Sequence, residues 1–344
     1  MLQILESQKI CAIIFTQQGP PRLWSYHAQP GGTFLCSETA MGDYPKKILN
    51  IEQQIQSFSD SGMSVASEAE AREALTSIGY FRLRGYCSPF YNNSTKAYLP
   101  GTSLSKIINI YKFDEALSNL VSSYLKKIEV SLRVRFKEAM LGFEGDPLVL
   151  RSPAAFSDKK TYWRDFTSVA SEIARSNEVF IKHNFLYHEG DIPIWAAVEV
   201  MSFGTLSKLI KNLKTGKGSP YESIAEFYKF TTAKGHTVRP SMKMLSSWIR
   251  SLVVLRNMCA HNARIYNRAV NTTPEILSND KTTPSPGQAG LYQLVMVMKY
   301  LRPSDGEWSS FSRELYALIN SYLPFIRLQD MNFPSDWNDH FVLS

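Results

Sequence analysis

A mostly α-helical bundle is the fold class this sequence predicts, on three observations. Apolar residues recur at three- and four-residue spacing over long stretches, strand-type alternation is nearly absent, and no repeat of about twenty to fifty residues is found. The 344 residues suffice to bury roughly three quarters of the unfolded surface. With 44% hydrophobic and 20% charged residues, the chain is neither disordered nor fibrous.

Four regions are expected. Residues 1–42 hold Gly19-Pro20-Pro21 and Pro30-Gly31-Gly32 without a helical period, and read as an irregular extension. The change at Met41 reads as the natural start, with the preceding residues an upstream extension of the reading frame. Residues 43–100 form an N-terminal helical region, 101–325 the helical core, and 326–344 a C-terminal tail.

The elements follow from spacing and punctuation. Ile48, Ile51, Ile55 and Phe58 predict a helix from Tyr44 to about Gly62, and Ser67-x-x-Glu70 predicts a capping box opening a second helix through Ile78, ended by Gly79. Tyr80-Phe81-Arg82-Leu83-Arg84-Gly85-Tyr86, with Pro89-Phe90-Tyr91, is aromatic and basic; it reads either as an RNA-stacking platform or as a core-facing elbow. Asn92-Asn93-Ser94 marks a turn. Ser103 to Leu141 predicts one long or slightly broken helix, burying Leu117, Val121, Leu125, Ile128, Leu132 and Phe136. Its outer face carries Lys126, Lys127, Arg133, Arg135 and Lys137, and Glu129 is placed to pair with Arg133. Residues 158–175 read as helical. Pro193 opens a helix to about Leu213 that Gly204 interrupts, and Ser241 to Arg268 gives a helix or helix pair. Pro274 to Gly287 is a surface loop, and Gln288 to Leu301 and Trp308 to Leu323 are the last helices.

Cys11, Cys36, Cys87 and Cys259 show neither a CxxC pair nor zinc-finger spacing to a histidine, so they read as free thiols of a reducing cytoplasm. No apolar run approaches the eighteen or so residues of a membrane span, and no membrane partner is expected. His183 and His188 fall in an expected loop, as surface residues or a metal pair. His27, His236 and His340 have no evident partner, and Trp163, Trp195, Trp248 and Trp308 read as core or interface anchors. There is no GxxxxGK[ST], HExxH, GxSxG or EF-hand loop. No metal or cofactor is expected.

Charge is the first specific signal. The net charge is +7, and between Glu226 and Glu275 there is no Asp or Glu, while Lys229, Lys234, Arg239, Lys243, Arg250, Arg256, Arg264 and Arg268 all fall there. A segment that gathers cations and excludes carboxylates suits a polyanion, because each neutralised phosphate releases counterions.

Inside this window lies Arg256-Asn257-Met258-Cys259-Ala260-His261-Asn262-Ala263-Arg264-Ile265-Tyr266-Asn267-Arg268. A continuous helix would align Asn257, His261, Arg264 and Arg268 into a polar stripe. Arg256 would then lie roughly 140° from His261, so the two converge only if the helix ends or bends there, or if the arginine reaches round. An imidazole can take a proton from a ribose 2′-hydroxyl or give one to the leaving 5′-oxygen, while a guanidinium neutralises the pentacoordinate phosphate. Such cleavage spares DNA and leaves a 2′,3′-cyclic phosphate. The candidate catalytic residues are Arg256, Asn257 and His261; Arg264, Arg268, Lys243, Arg250 and Arg133 are the candidate RNA contacts.

These residues resemble a known family, the Abi-like proteins of bacterial abortive infection, which include the AbiD and AbiF groups. The likeness covers about residues 44–325. It shows in Lys46-x-x-Leu49 with Glu52-Gln53-Gln54-Ile55, Ile78-Gly79-Tyr80-Phe81-Arg82-Leu83-Arg84-Gly85-Tyr86, Lys127-Ile128-Glu129 with Leu132-Arg133, Pro193-Ile194-Trp195 with Glu199-Val200-Met201-Ser202-Phe203-Gly204, and above all Arg256-Asn257-x-Cys259-Ala260-His261-Asn262-x-Arg264. The resemblance implies a HEPN-like helical bundle in the C-terminal half and a metal-independent endoribonuclease used in phage defence or as a toxin. It further implies a homodimer completing a composite site, with a small noncoding RNA or an antitoxin as partners. Asn262 stands where family members often carry a second histidine. The alternatives are a non-catalytic RNA-binding protein that holds a small structured RNA, and a helical scaffold in which Arg256 and His261 only pair with carboxylates.

Overall fold

The computed structural model describes residues 48–232, 234–281 and 289–343; expectations for residues 1–47 lie outside them. From Leu49 onward the described residues form one compact unit. The mostly helical prediction holds: the described residues contain twelve α-helices and two short hairpins.

Helix α1 (Ile51–Asp60) begins at a reciprocal capping box between Asn50 and Gln53, so it starts later than the apolar spacing predicts. Ser67 caps α2 (Glu68–Ser77) by accepting from Glu70 N. At φ +90°, Gly79 then turns the chain straight into α3 (Tyr80–Cys87), making the aromatic and basic motif a helix. Strands β1 (Tyr91–Asn92) and β2 (Ala97–Tyr98) form a hairpin across the predicted turn.

Helix α4 (Leu104–Glu144) is a single unbroken helix of 41 residues that Gly145 ends in the left-handed region. Helices α5 (Lys159–Ala174), α6 (Val179–Tyr187), α7 (Ile194–Val200), α8 (Phe203–Lys211) and α9 (Pro220–Phe227) follow. Strands β3 (Phe230–Thr231) and β4 (Thr237–Val238) precede α10 (Met242–Ala260), α11 (Leu291–Tyr300) and α12 (Asp305–Tyr322). Helices α3, α7, α8, α9, α10 and α12 all pack on α4, whose Ile107, Phe113, Leu117, Val121, Leu125, Ile128, Leu132 and Phe136 are fully buried. Beyond α12, Ile326, Met331, Phe333, Trp337 and Phe341 are buried as well, so residues 326–343 are part of the core.

Three expectations need correction. The helix opened by Pro193 breaks at Met201–Ser202, not at Gly204, because Ser202 caps α8 and its N–H goes to the buried Glu172 carboxylate at 2.9 Å. His183 lies within α6 and not in a loop. Finally, α10 stops at Ala260, so residues 261–268 do not extend it.

Candidate functional site

The end of α10 shapes the site. His261 is the C-cap, at φ −96° and ψ 14°, and Asn262 follows at φ +50°. Asn262 N donates to Cys259 O at 3.1 Å and Ala263 N to Met258 O at 2.8 Å, the paired bonds of a Schellman turn. Asparagine is the non-glycine residue best suited to that left-handed position, which gives Asn262 a backbone reason.

No polar stripe therefore runs from Asn257 to Arg268. Asn257 and His261, both exposed, still share a face one turn apart. Arg256 Nη1 donates to Asn257 Oδ1 at 3.2 Å, which turns the guanidinium toward that face. On its other side Arg256 Nε lies 3.6 Å from Glu129 Oε2 on α4. Glu129, only 8% exposed, is held more closely by Arg133 Nη2 at 2.5 Å. One carboxylate thus serves two arginines, and the cluster keeps a net positive charge.

Arg133 is not on a solvated outer face. It is half-buried and donates to Val198 O and to Met201 O as well as to Glu129, tying α4 to the end of α7. Arg133, Arg256, Glu129, Lys126, Val130, Ser122, Glu199 and Ala260 line a groove of about 570 Å³. A second, polar cleft of about 350 Å³ lies on the Asn262–Ala263 side, with Arg82, Asp114, Glu115, Ser118 and Asn119 among its walls. Ala260 lines the groove and Asn262 the cleft, with His261 between them in the chain.

Asp114 fixes the loop that follows. Buried in α4, it accepts from Tyr266 N at 2.7 Å, Ile265 N at 3.1 Å and Tyr86 Oη at 2.7 Å. Burial pushes its carboxyl above the ordinary aspartate value, against the pull of these bonds. From α3, Arg82 Nη1 donates to Asn262 O at 2.9 Å, while Arg264 donates to Gly85 O and covers the Tyr86 ring at 5.7 Å. The α3 motif is therefore mainly an elbow under the His261 loop, although Phe81 stays 91% exposed.

A family model described as Abi-like protein matches residues 73–267, more than half of the chain. The chain belongs to the Abi-like family. No curated protein and no solved structure gives a match.

In this Abi-like protein the candidate cations do not gather as one patch. Arg264 is half-buried and structural, and burial lowers its basicity. Lys243 pairs with Glu275 at 3.3 Å, eighteen residues before His261, about 27 Å along the helix rise. Arg250 and Arg268 are exposed and form no ion pair among the described residues. Carboxylates from outside the acid-free segment reach four of its cations: Lys229 by Glu226, Arg239 by Glu222 and Glu226, Lys243 by Glu275, and Arg256 by Glu129. Sequence spacing locates carboxylates along the chain but not across it.

The remaining candidates resolve simply. The His183 and His188 rings are 5.3 Å apart and both exposed; no group of three His, Cys, Asp or Glu side chains converges among the described residues. His340 does have partners, Asp280 at 3.6 Å and Asp336 at 3.5 Å. Trp248 and Trp308 are core residues, whereas Trp163 and Trp195 are about half exposed, at 51% and 49%. Cys87 and Cys259 are buried free thiols, and no described helix is long and apolar enough to cross a membrane. Sequence reasoning missed Asp114, whose signal was a carboxylate on the apolar face between Ile110 and Leu117.

Proposed function

We propose that this Abi-like protein is a phage-defence endoribonuclease that cleaves RNA without a metal ion, as a homodimer in which two copies of the α10 terminus face one cleft. The observation that carries this reading is the terminus itself: an exposed imidazole on the C-cap residue of the helix, with the Arg256 guanidinium turned through Asn257 toward the same face. His261 moves the proton between the 2′-hydroxyl, solvent and the 5′-oxygen, Arg256 offsets the charge gathering on the phosphate, and Asn257 orients the guanidinium. One motif supplies one imidazole, and a second copy supplies the second proton-transfer group. The test is cleavage of labelled RNA by the full chain in EDTA, with light scattering to give the oligomeric state. Arg256→Ala and His261→Ala lose cleavage and keep their helical circular dichroism, and the wild-type product ends in a 2′,3′-cyclic phosphate. Equal cleavage by the variants refutes the assignment.

Arg256 is engaged by Glu129 while Arg268 is exposed with no ion pair among the described residues, which favours a second reading, a non-catalytic protein that holds a small structured RNA. Salt-dependent binding without turnover, indifferent to His261→Ala, is its signature.

A further inference from the structure

We infer that the polar cleft beside His261 is a subsite for one unpaired guanine base, an inference that rests on the RNA reading above and adds a specificity to it. The cleft is large enough for a base, at about 350 Å³, and it is joined to the candidate catalytic loop because Asn262 and Ala263 form part of its wall. Its charge gives a phosphate no net attraction: Asp114 and Glu115 offset Arg82 and the Arg264 guanidinium over the Tyr86 ring, so an uncharged base suits the cleft better than a backbone segment.

The polar groups also have direction. Asp114 is committed to Tyr86 and to the Ile265 and Tyr266 amides, which leaves Glu115 as the carboxylate without a partner. Glu115 and Asn119 are both exposed, one turn apart on α4, and neither forms a hydrogen bond or ion pair among the described residues. Opposite in function is Arg82, whose guanidinium gives one of five N–H donors to Asn262 O and keeps the rest. A carboxylate that only accepts, together with a guanidinium that only donates, matches guanine. That base has N1–H and the 2-amino group side by side on one edge, and O6 with N7 on another, the pair an arginine reads. Adenine offers no such adjacent donors.

The experiment uses the full chain carrying His261→Ala, so that RNA is bound and not cut. Fluorescence anisotropy compares a labelled uridine octamer with the same octamer holding one central guanosine. The guanosine is expected to tighten binding about tenfold, the size of one good bidentate contact. Replacing it with inosine, which lacks the 2-amino group, removes most of that gain, and 7-deazaguanosine removes the part due to Arg82. A second substitution, Glu115→Gln, cuts the preference to the part due to Arg82 while the all-uridine octamer binds as before. Equal binding of the two octamers, or a preference undiminished by Glu115→Gln, overturns the subsite and leaves the nuclease reading standing. Binding of neither octamer overturns both.

Discussion

Replacing Asp114 separates its two physical roles. In Asp114→Leu, two buried backbone N–H groups and the Tyr86 hydroxyl lose their acceptor together. An unsatisfied buried donor costs about 1–3 kcal/mol and there are three, while the added apolar contact returns about 1–2 kcal/mol, so the variant should be less stable by about 1–8 kcal/mol, with a mid-range of about 4–5 kcal/mol. Asp114→Asn behaves differently. Its Oδ1 can keep both amides, and its amide nitrogen can donate to Tyr86 Oη, which reverses its role. Burial raises the Asp114 pKa despite the three donors, so neutralising the group releases a desolvation cost that offsets the lost charge assistance. The Asn variant should stay within about 1 kcal/mol of wild type.

The pH dependence has a definite sign. A carboxyl whose folded pKa is raised binds its proton more tightly in the native state, so between about 3.8 and the raised value stability falls as pH rises. The Asn variant lacks this contribution, and its stability relative to wild type therefore improves as pH rises through that window. Urea unfolding of the three proteins, followed by tryptophan fluorescence at several pH values, reads both quantities. A Leu variant as stable as wild type, or an Asn variant that loses ground with rising pH, would refute the account of the node.

Three further variants concern the arginine cluster and an exposed cation without an ion pair among the described residues. Glu129→Gln removes the carboxylate shared by Arg133 and Arg256, so it should destabilise by about 2–4 kcal/mol. On the RNA reading it should also steepen the slope of log K against log salt by about 0.7, because one more cation is free for phosphate; an unchanged slope means Arg256 does not meet RNA. Arg268→Ala should weaken RNA binding and flatten that slope by about 0.7, whereas Arg133→Met should destabilise by about 2–4 kcal/mol with the slope unchanged, since its guanidinium is committed to Glu129 and two carbonyls. A larger slope change for Arg133→Met than for Arg268→Ala would contradict these placements.

Most helices were legible because burial follows the 3.6-residue period. The apolar spacing of α4, the helix starts at Ser67 and Ser241 and the stop at Gly79 take the predicted roles, although Ser67 caps α2 without the reciprocal Glu70 bond of a capping box. Three helices were not legible, among them α3, whose aromatic and basic motif reads as an elbow or a platform. Helix α6 has nine residues with Val179, Phe185, Leu186 and Tyr187 all exposed, so no apolar stripe marks it, and α9 spans only eight. The candidate motif was legible as residue types, but its partners were not: Glu129 is 127 positions before Arg256, and nothing local to either residue announces the other.

The two misplaced helix ends share one physical cause. At Ser202 a buried carboxylate from α5, Glu172, takes the backbone N–H and the Thr205 hydroxyl, and the helix restarts there although Val200 and Met201 would continue the pattern. At Ile265 and Tyr266 a buried carboxylate from α4, Asp114, takes two N–H groups that a continuing α10 would have used internally. A carboxylate accepts more strongly than a peptide carbonyl, so a tertiary acceptor can outbid the next intrahelical bond when the gain in charge-assisted bonding exceeds the few tenths of a kcal/mol that local propensity supplies. Periodicity measures only the propensity side of that competition. The consequence falls on the site: had α10 run on to Arg268, His261 would sit mid-helix with the next turn packed over it, and it is the distant Asp114 that leaves the imidazole at an open end, between the groove and the cleft.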